Sequence, residues 1–190
     1  MIRKSLLTSA AVALALTATP ALSDNLADID QVGPNNNSNV TQSGDSNSIR
    51  VDQNINTGQS DPTGNSGTVS QTGNENTATL RQDTDLNTGQ HQPLTAVDGN
   101  SATITQIGDN NNTRVDQGGD EAQARVGQDG NDNNANVTQR STRNFNTVVA
   151  NVDQFGDGNS ARIDQGVRGG GSTFARIDQD GMDNRGTIDQ

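Results

Sequence analysis

Apolar residues recur along this chain at a fixed distance before a series of glutamines. Thirteen glutamines end related segments, and the residue two positions before each of them is Ile, Val or Leu. The residue four positions before is Ala, Ser, Gly or Thr in every segment but one, where it is Ile49. A pattern this regular predicts a repeated structural unit. The glutamines are Gln31, Gln42, Gln53, Gln71, Gln82, Gln106, Gln117, Gln128, Gln139, Gln154, Gln165, Gln179 and Gln190.

The spacing within each segment is that of a β-strand. Side chains two residues apart lie on the same face of a strand, so the small residue, the aliphatic residue and the glutamine share one face. The residues between them are mostly Thr, Arg, Asn and Asp, which suit a face exposed to water. Each segment is therefore predicted to be a short strand whose thin inner face combines apolar and amide side chains.

The connections between segments are of two kinds. After every second strand the chain returns in 11 residues through a Gly-x-x-Asn turn, and both residue types tolerate positive φ in tight turns. These turns contain Gly44 and Asn47, Gly73 and Asn76, Gly108 and Asn111, Gly130 and Asn133, Gly156 and Asn159, and Gly181 and Asn184. The other connections are permissive, and all the insertions fall on them, at 54–64, 83–99, 140–147 and 166–172. The sequence thus predicts a coil of about 22 residues with one strict and one permissive edge.

A strand–turn–strand unit of this kind cannot bury its inner face alone. An N-terminal half-repeat strand at 24–35 precedes six units, at 36–53, 65–82, 100–117, 122–139, 148–165 and 173–190. Stacking at about 4.8 Å per rung places aliphatic residues over one another and joins the glutamine amides in hydrogen-bonded ladders. The predicted fold class is all-β, a β-solenoid of stacked strand–turn–strand repeats that is cross-β when assembled.

Residues 1–23 are predicted to be a signal peptide. A basic start, "MIRK", precedes a short apolar run and small residues suited to cleavage, and the run is too short for a membrane span. Without this segment the net charge becomes about -13, which disfavours nucleic acid and anionic membrane surfaces as partners. The chain has no cysteine, so its fold uses no disulfide.

Candidate chemistry is sparse. His91 is the only histidine, and without a cysteine or a second histidine neither a zinc site nor a nucleophilic triad can be assembled. The carboxylates recur as outward strand residues rather than as a convergent pair. We therefore expect no enzyme, no cofactor and no metal site. The glycine–aspartate turns lack the nonapeptide period of a calcium-binding β-roll, and too few strands carry paired threonines for an ice-binding face.

Arg-x-Asp recurs on the outward face, at 50–52, 114–116, 162–164 and 176–178. In a stacked solenoid Asp52, Asp116 and Asp164 would share one outward column, and arginine beside each would limit repulsion. The alternative is a merely solvated face.

The segments also carry a family resemblance. The pattern Gln-x-Gly-x-x-Asn-x-Ala-x-x-x-Gln resembles the curlin repeat of curli, the extracellular functional amyloid of bacterial biofilms. Residues 71–82, 128–139 and 154–165 fit it at every position, whereas Ile49, Thr113 and Gly186 replace the alanine elsewhere. The family's repeat usually opens on serine, and here the first three units open on Asn36, Asn65 and Asn100.

The resemblance implies a secreted structural subunit that polymerises into curli-like amyloid fibres at the cell surface, for biofilm matrix and adhesion. Its implied partners are further copies of itself, a companion curlin subunit and a curli-type outer-membrane secretion pore. It leaves open whether the chain is like the major or the nucleating minor subunit. Since the chain ends on a strand at Gln190 without a polar cap, we expect growth by edge-strand addition. The alternative function is a monomeric secreted β-solenoid that binds cations or a surface such as ice.

Overall fold

The computed structural model describes residues 24–33, 35–54, 64–83, 99–119, 121–141, 147–167 and 171–190. The predicted signal peptide, His91, most of the predicted insertions 54–64, 83–99 and 140–147, and part of 166–172 lie outside these ranges. The described residues form thirteen strands and contain no helix, so no helix that could span a membrane is found among them. The strands are β1 (Leu26–Val32), β2 (Asn37–Ser43), β3 (Ser48–Asn54), β4 (Ser66–Thr72), β5 (Thr77–Asp83), β6 (Ser101–Ile107), β7 (Asn112–Gly118), β8 (Ala122–Asp129), β9 (Asn134–Ser141), β10 (Val148–Phe155), β11 (Ser160–Val167), β12 (Thr173–Asp180) and β13 (Arg185–Asp189).

Consecutive strands alternate between two sheets. The odd-numbered strands form a seven-stranded sheet in the order β1-β3-β5-β7-β9-β11-β13, and the even-numbered strands form a six-stranded sheet from β2 to β12. Every pairing within a sheet is parallel. The predicted all-β solenoid, with two strands per coil, is confirmed.

The register follows the sequence pattern. Val51 pairs with Leu80 and Gln53 with Gln82, and the same correspondence holds along both sheets. A shift of one residue would turn the aliphatic side chains and glutamines toward water, which fixes the register strongly.

The core lies between the two sheets and is one side chain deep on each side. Buried and exposed residues alternate along the strands, as in β2 and β6. Each interior strand contributes at least one aliphatic side chain with almost no exposure, for example Val69, Leu80 and Ile104, and most add a buried small residue such as Ala78 or Ala102. Much of the rest of the inner face is buried glutamine and asparagine, so the stability of this fold also depends on how these amides are hydrogen-bonded.

Candidate assembly site: amide ladders, glycine turns and free strand edges

The glutamines lie on the inner face in two columns, one per sheet. From Gln31 to Gln190 in the seven-stranded sheet, and from Gln42 to Gln179 in the other, the Nε2 of each donates to the Oε1 of the next at 2.6–3.2 Å. The interior glutamines are fully buried, whereas Gln31 is half-buried and Gln190 is exposed at the ends. Both columns are therefore continuous hydrogen-bonded chains.

The second N–H of each interior amide ties the two sheets together. The Nε2 of Gln106 donates to the carbonyl O of Thr77 at 3.1 Å, and that of Gln117 to the carbonyl O of Ser101 at 3.0 Å. An amide nitrogen carries two N–H groups, and both are used. The glutamines thus replace part of the apolar contact that a conventional core would provide between its sheets.

Both columns have the same polarity along the solenoid. Every link donates from the earlier strand to the later one, so an acceptor is left at the N-terminal end and a donor at the C-terminal end. The Oε1 of Gln31 is buried and has no hydrogen-bond partner. The Nε2 of Gln179 has one acceptor, the carbonyl O of Ser160 at 3.1 Å.

The six predicted turn glycines have φ between 95° and 129°. They are also packed too closely for a side chain: a Cβ on Gly108 would lie 2.2 Å from the carbonyl O of Gly130. The same approach of 2.0–2.2 Å recurs at Gly44, Gly73, Gly130 and Gly156, each toward the glycine of the next turn. Gly181, in the last turn, would meet only the Nδ2 of Asn184 at 3.6 Å.

The turn asparagines have a different role from the one their turn propensity suggests. The described residues with positive φ include the glycine and the residue before the asparagine, such as Ser46 at 58°, and Asn47 is not among them. Asn47 instead makes hydrogen bonds between turns. Its Nδ2 donates to the carbonyl O of Gly73 at 2.7 Å, and its Oδ1 accepts the backbone N–H of Asn76 at 3.0 Å.

A further ladder runs along the outside of the same turns, at the residue after each glycine. The backbone N–H of Asn74 donates to the Oδ1 of Asp109 at 2.7 Å, and that of Asp109 to the Oδ1 of Asn131 at 2.9 Å. Asp45 precedes this series and Asp157 continues it, so acids and amides alternate from rung to rung. We call these five residues the alternating ladder.

Sequence reasoning assigned no role to the asparagines that open the first three units. The backbone N–H of Asn65 donates to the Oδ1 of Asn36 at 3.0 Å, and that of Asn100 to the Oδ1 of Asn65 at 3.2 Å. This ladder ends where the N–H of Ala122 donates to Asn100, because alanine has no acceptor to offer the next rung. The sequence feature that could have indicated this ladder is asparagine at the position where the curlin repeat usually has serine.

The turn between β1 and β2 was also missed as a member of the Gly-x-x-Asn set. Gly33 and Asn35 have φ of 98° and 62°, close to the 107° and 57° of Gly181 and Asp183. The sequence "GPNN" at 33–36 fits the motif. The chain therefore has this turn on both sides of the solenoid, since the connection from β1 to β2 lies at the edge that carries the insertions.

The outward charges form a mixed surface. Asp52, Asp116 and Asp164 share one column, as predicted, but Arg81 lies between the first two and Thr138 between the last two. Exposed ion pairs such as Arg114 with Asp116, at 2.7 Å, contribute roughly 0–1 kcal/mol each. Among the described residues no three acidic or histidine side chains converge on a point that could hold a metal ion.

The two ends of the solenoid present unpaired strand edges. No described strand lies beyond β1 or β13 in one sheet, or beyond β2 or β12 in the other. In the seven-stranded sheet the inner side chains at the ends are incompletely covered, since Ile29 and Ile188 are only partly buried. In the six-stranded sheet Val40 and Ile177 are buried. These edges offer backbone groups, an apolar stripe and amide columns to another chain of the same pattern.

Comparison with known proteins shows a family similarity in part of the chain. A family model described as the curlin associated repeat matches residues 23–54, 98–130 and 108–140. Neither the search of curated proteins nor the search of solved structures found a significant match. The matched segments contain β1 to β3, β6 to β8 and all but the last residue of β9, together with their glutamines and turns.

Proposed function

We propose that this curlin-repeat protein is a secreted structural subunit that polymerises end to end into curli-like extracellular amyloid fibres, serving biofilm matrix and adhesion. A companion curlin subunit and a curli-type outer-membrane secretion pore are its proposed partners, and residues 1–23 are its proposed signal peptide. The proposal assigns it no catalytic activity.

The free strand edges carry this proposal. An incoming copy that adds its first strands to β12 and β13 would pair backbone N–H and C=O groups that are otherwise left to water. The same step would cover Ile188, which is only partly buried in the single chain, so backbone pairing and apolar burial favour it together. Because the contact joins different ends of identical chains, it repeats without closing and gives an open filament.

Charge and composition support export before assembly. The chain has a net charge of -11 and is 27% hydrophobic, so an isolated chain gains little from collapse and is kept apart from its neighbours. Ordering is favoured at a fibre end, where a preformed edge supplies the hydrogen-bond partners. This would confine folding to the growing fibre.

Purified protein lacking residues 1–23 tests the proposal. At micromolar concentration we expect a sigmoidal rise in thioflavin T fluorescence, fibres by electron microscopy, and diffraction at about 4.7–4.8 Å and ~10 Å. Ile188→Lys would place a charge on the inner face of β13 and should stop growth at that end. Thr187→Lys adds the same charge to the outer face of the same strand and should leave growth near the parent rate.

Two results would overturn the proposal. One is a chain that remains monomeric by analytical ultracentrifugation under conditions in which it is folded. The other is equal fibre growth from Ile188→Lys and Thr187→Lys, since that would mean that the inner edge of β13 takes no part in assembly.

A further inference from the structure

The number of strands constrains how copies can stack. The described residues form thirteen strands that alternate between the two sheets, and because thirteen is odd, β1 and β13 lie in the same sheet. If each copy followed the last by translation alone, the next β1 would pair with β13. The β2 of the incoming copy would then lie two inter-strand spacings beyond β12, so one strand position in that sheet would be empty. The outer edges of β12 and of the incoming β2 would both lack partners.

We infer that successive copies in the fibre are related by a half-turn about the fibre axis, so that β1 of the incoming copy pairs with β12 and its β2 pairs with β13. This inference rests on the end-to-end growth proposed above. A half-turn exchanges the two sheets and reverses every strand. Strands of the two sheets run in opposite directions, so the new pairings are again parallel and no place stays empty. Thirteen strands make six and a half rungs, which gives an advance of ~31 Å per copy.

The inner faces match in this arrangement. Aligning the two strands by their repeat positions puts Ile29 beside Ile177 and Gln31 beside Gln179. The buried Oε1 of Gln31, which has no partner within the chain, then meets the Nε2 of Gln179, which has an N–H to give. Both amide columns continue across the junction with unchanged polarity. Two N-terminal ends cannot meet in this way, because each would bring an acceptor.

The outer faces separate the half-turn from translation. The half-turn places Leu26 beside Phe174, and these are 60% and 59% exposed in the single chain. It also places Asp28 beside Arg176, an opposite-charge pair. Translation would set Leu26 beside Arg185 and Asp28 beside Thr187, with neither apolar nor charge complementarity.

The turns agree as well. With β1 on β12 and β2 on β13, the turn at Gly33 stacks on the turn at Gly181, and the two have nearly the same φ values at both special positions. Asn36 follows Asn184, which extends the asparagine ladder of that edge. In translation the turn at Gly33 would lie at the opposite edge from the turn at Gly181. The strict edge, which carries the Gly-x-x-Asn turns, therefore changes side at every junction of the half-turn fibre.

Cysteine cross-linking distinguishes the two arrangements, because the parent chain has no cysteine. Leu26→Cys protein is mixed in equal amounts with Phe174→Cys protein, assembled, and treated with a short thiol-specific cross-linker. A second mixture, which tests for translation, combines Leu26→Cys protein with Arg185→Cys protein. Leu26 and Phe174 are at opposite ends and on opposite sheets of one chain, so only contact between copies can join them.

We expect at least about ten-fold more cross-linked dimer from the 26–174 mixture than from the 26–185 mixture. The reverse ratio would establish translation and overturn the half-turn. Fibres that cross-link in neither mixture would overturn it too, while leaving the fibre function intact, whereas parent protein that forms no fibre would overturn the function itself. A second set, Asp28→Cys with Arg176→Cys against Asp28→Cys with Thr187→Cys, decides the matter if replacing Leu26 or Phe174 prevents assembly.

Discussion

The amide nitrogen of Gln106 lies 2.9 Å from the amide oxygen of Gln128, one rung further along the same sheet. The two residues are 22 positions apart in the chain, one full coil. This hydrogen bond converts the spacing of glutamines in the sequence into a spacing of strands in space, and it is made on the inner face, where water cannot substitute for either partner.

Removing such an amide should be costly. Gln106→Ala removes one of two acceptors from Gln71, which keeps the carbonyl O of Ser48, and one of two donors from Gln128, which keeps the hydroxyl of Thr113. The loss should cost on the order of 1–3 kcal/mol. Thr103→Ala, on the exposed face of the same strand, should change little. The urea concentration at half-dissociation of fibres measures both, and equal shifts for the two variants would mean that the faces are assigned wrongly.

The ladder formed by the turn asparagines should be sensitive to a buried negative charge. Asn111 is buried, and its Nδ2 donates to the carbonyl O of Gly130 at 2.7 Å. Asn111→Asp replaces this donor by a carboxylate, so assembly at pH 7 should be strongly slowed. Below about pH 4 the acid is protonated and can donate again, so growth should recover. Asn112→Asp makes the same change at an exposed position and should match the parent at both pH values.

The two edges should differ in tolerance. Gly108→Val with Gly130→Val would force two neighbouring carbonyl groups away from positions 2.2 Å from the new Cβ atoms, so fibre formation should be slowed or abolished. Shortening residues 83–99 to a turn of two to four residues should leave assembly nearly intact, because loop length changes closure entropy only slowly. Lag time and final fibre mass compare them. A deletion more damaging than the double valine would contradict the strict-edge interpretation.

Growth should depend on pH and salt through net charge. Identical chains lacking residues 1–23 have a net charge of about -13 and repel one another, and this repulsion falls as pH approaches the sequence pI near 4.2 or as salt screens it. Thioflavin T kinetics should therefore be faster at pH 5 than at pH 8 in low salt. Slower growth at pH 5 would show that charge repulsion does not control addition.

Much of this fold was predictable because the same residue types recur at the same position of every strand and so determine the register. The thirteen glutamines and the aliphatic residues before them define strands, faces and stacking in one pattern, without any knowledge of distant contacts. The second left-handed position of each turn was predictable only in part. Asn110, Asp132, Gly158 and Asp183 are of types that tolerate positive φ, but Ser46 and Glu75 have no feature that favours the position. It is imposed by the approach of neighbouring turns, which also excludes a Cβ from Gly108. That approach exists only once the rungs are stacked.

The alternating ladder implies that the repeats must differ in order to stack. If every repeat carried aspartate after the turn glycine, carboxylates would face one another at about 4.8 Å along the whole edge. Asn74 and Asn131 instead separate Asp45, Asp109 and Asp157, so each acid has amide neighbours. The variation between repeats thus specifies the order in which rungs stack, because a rung inserted out of order would bring like charges together. A fibre built from one idealised repeat would lose this protection against misaligned stacking.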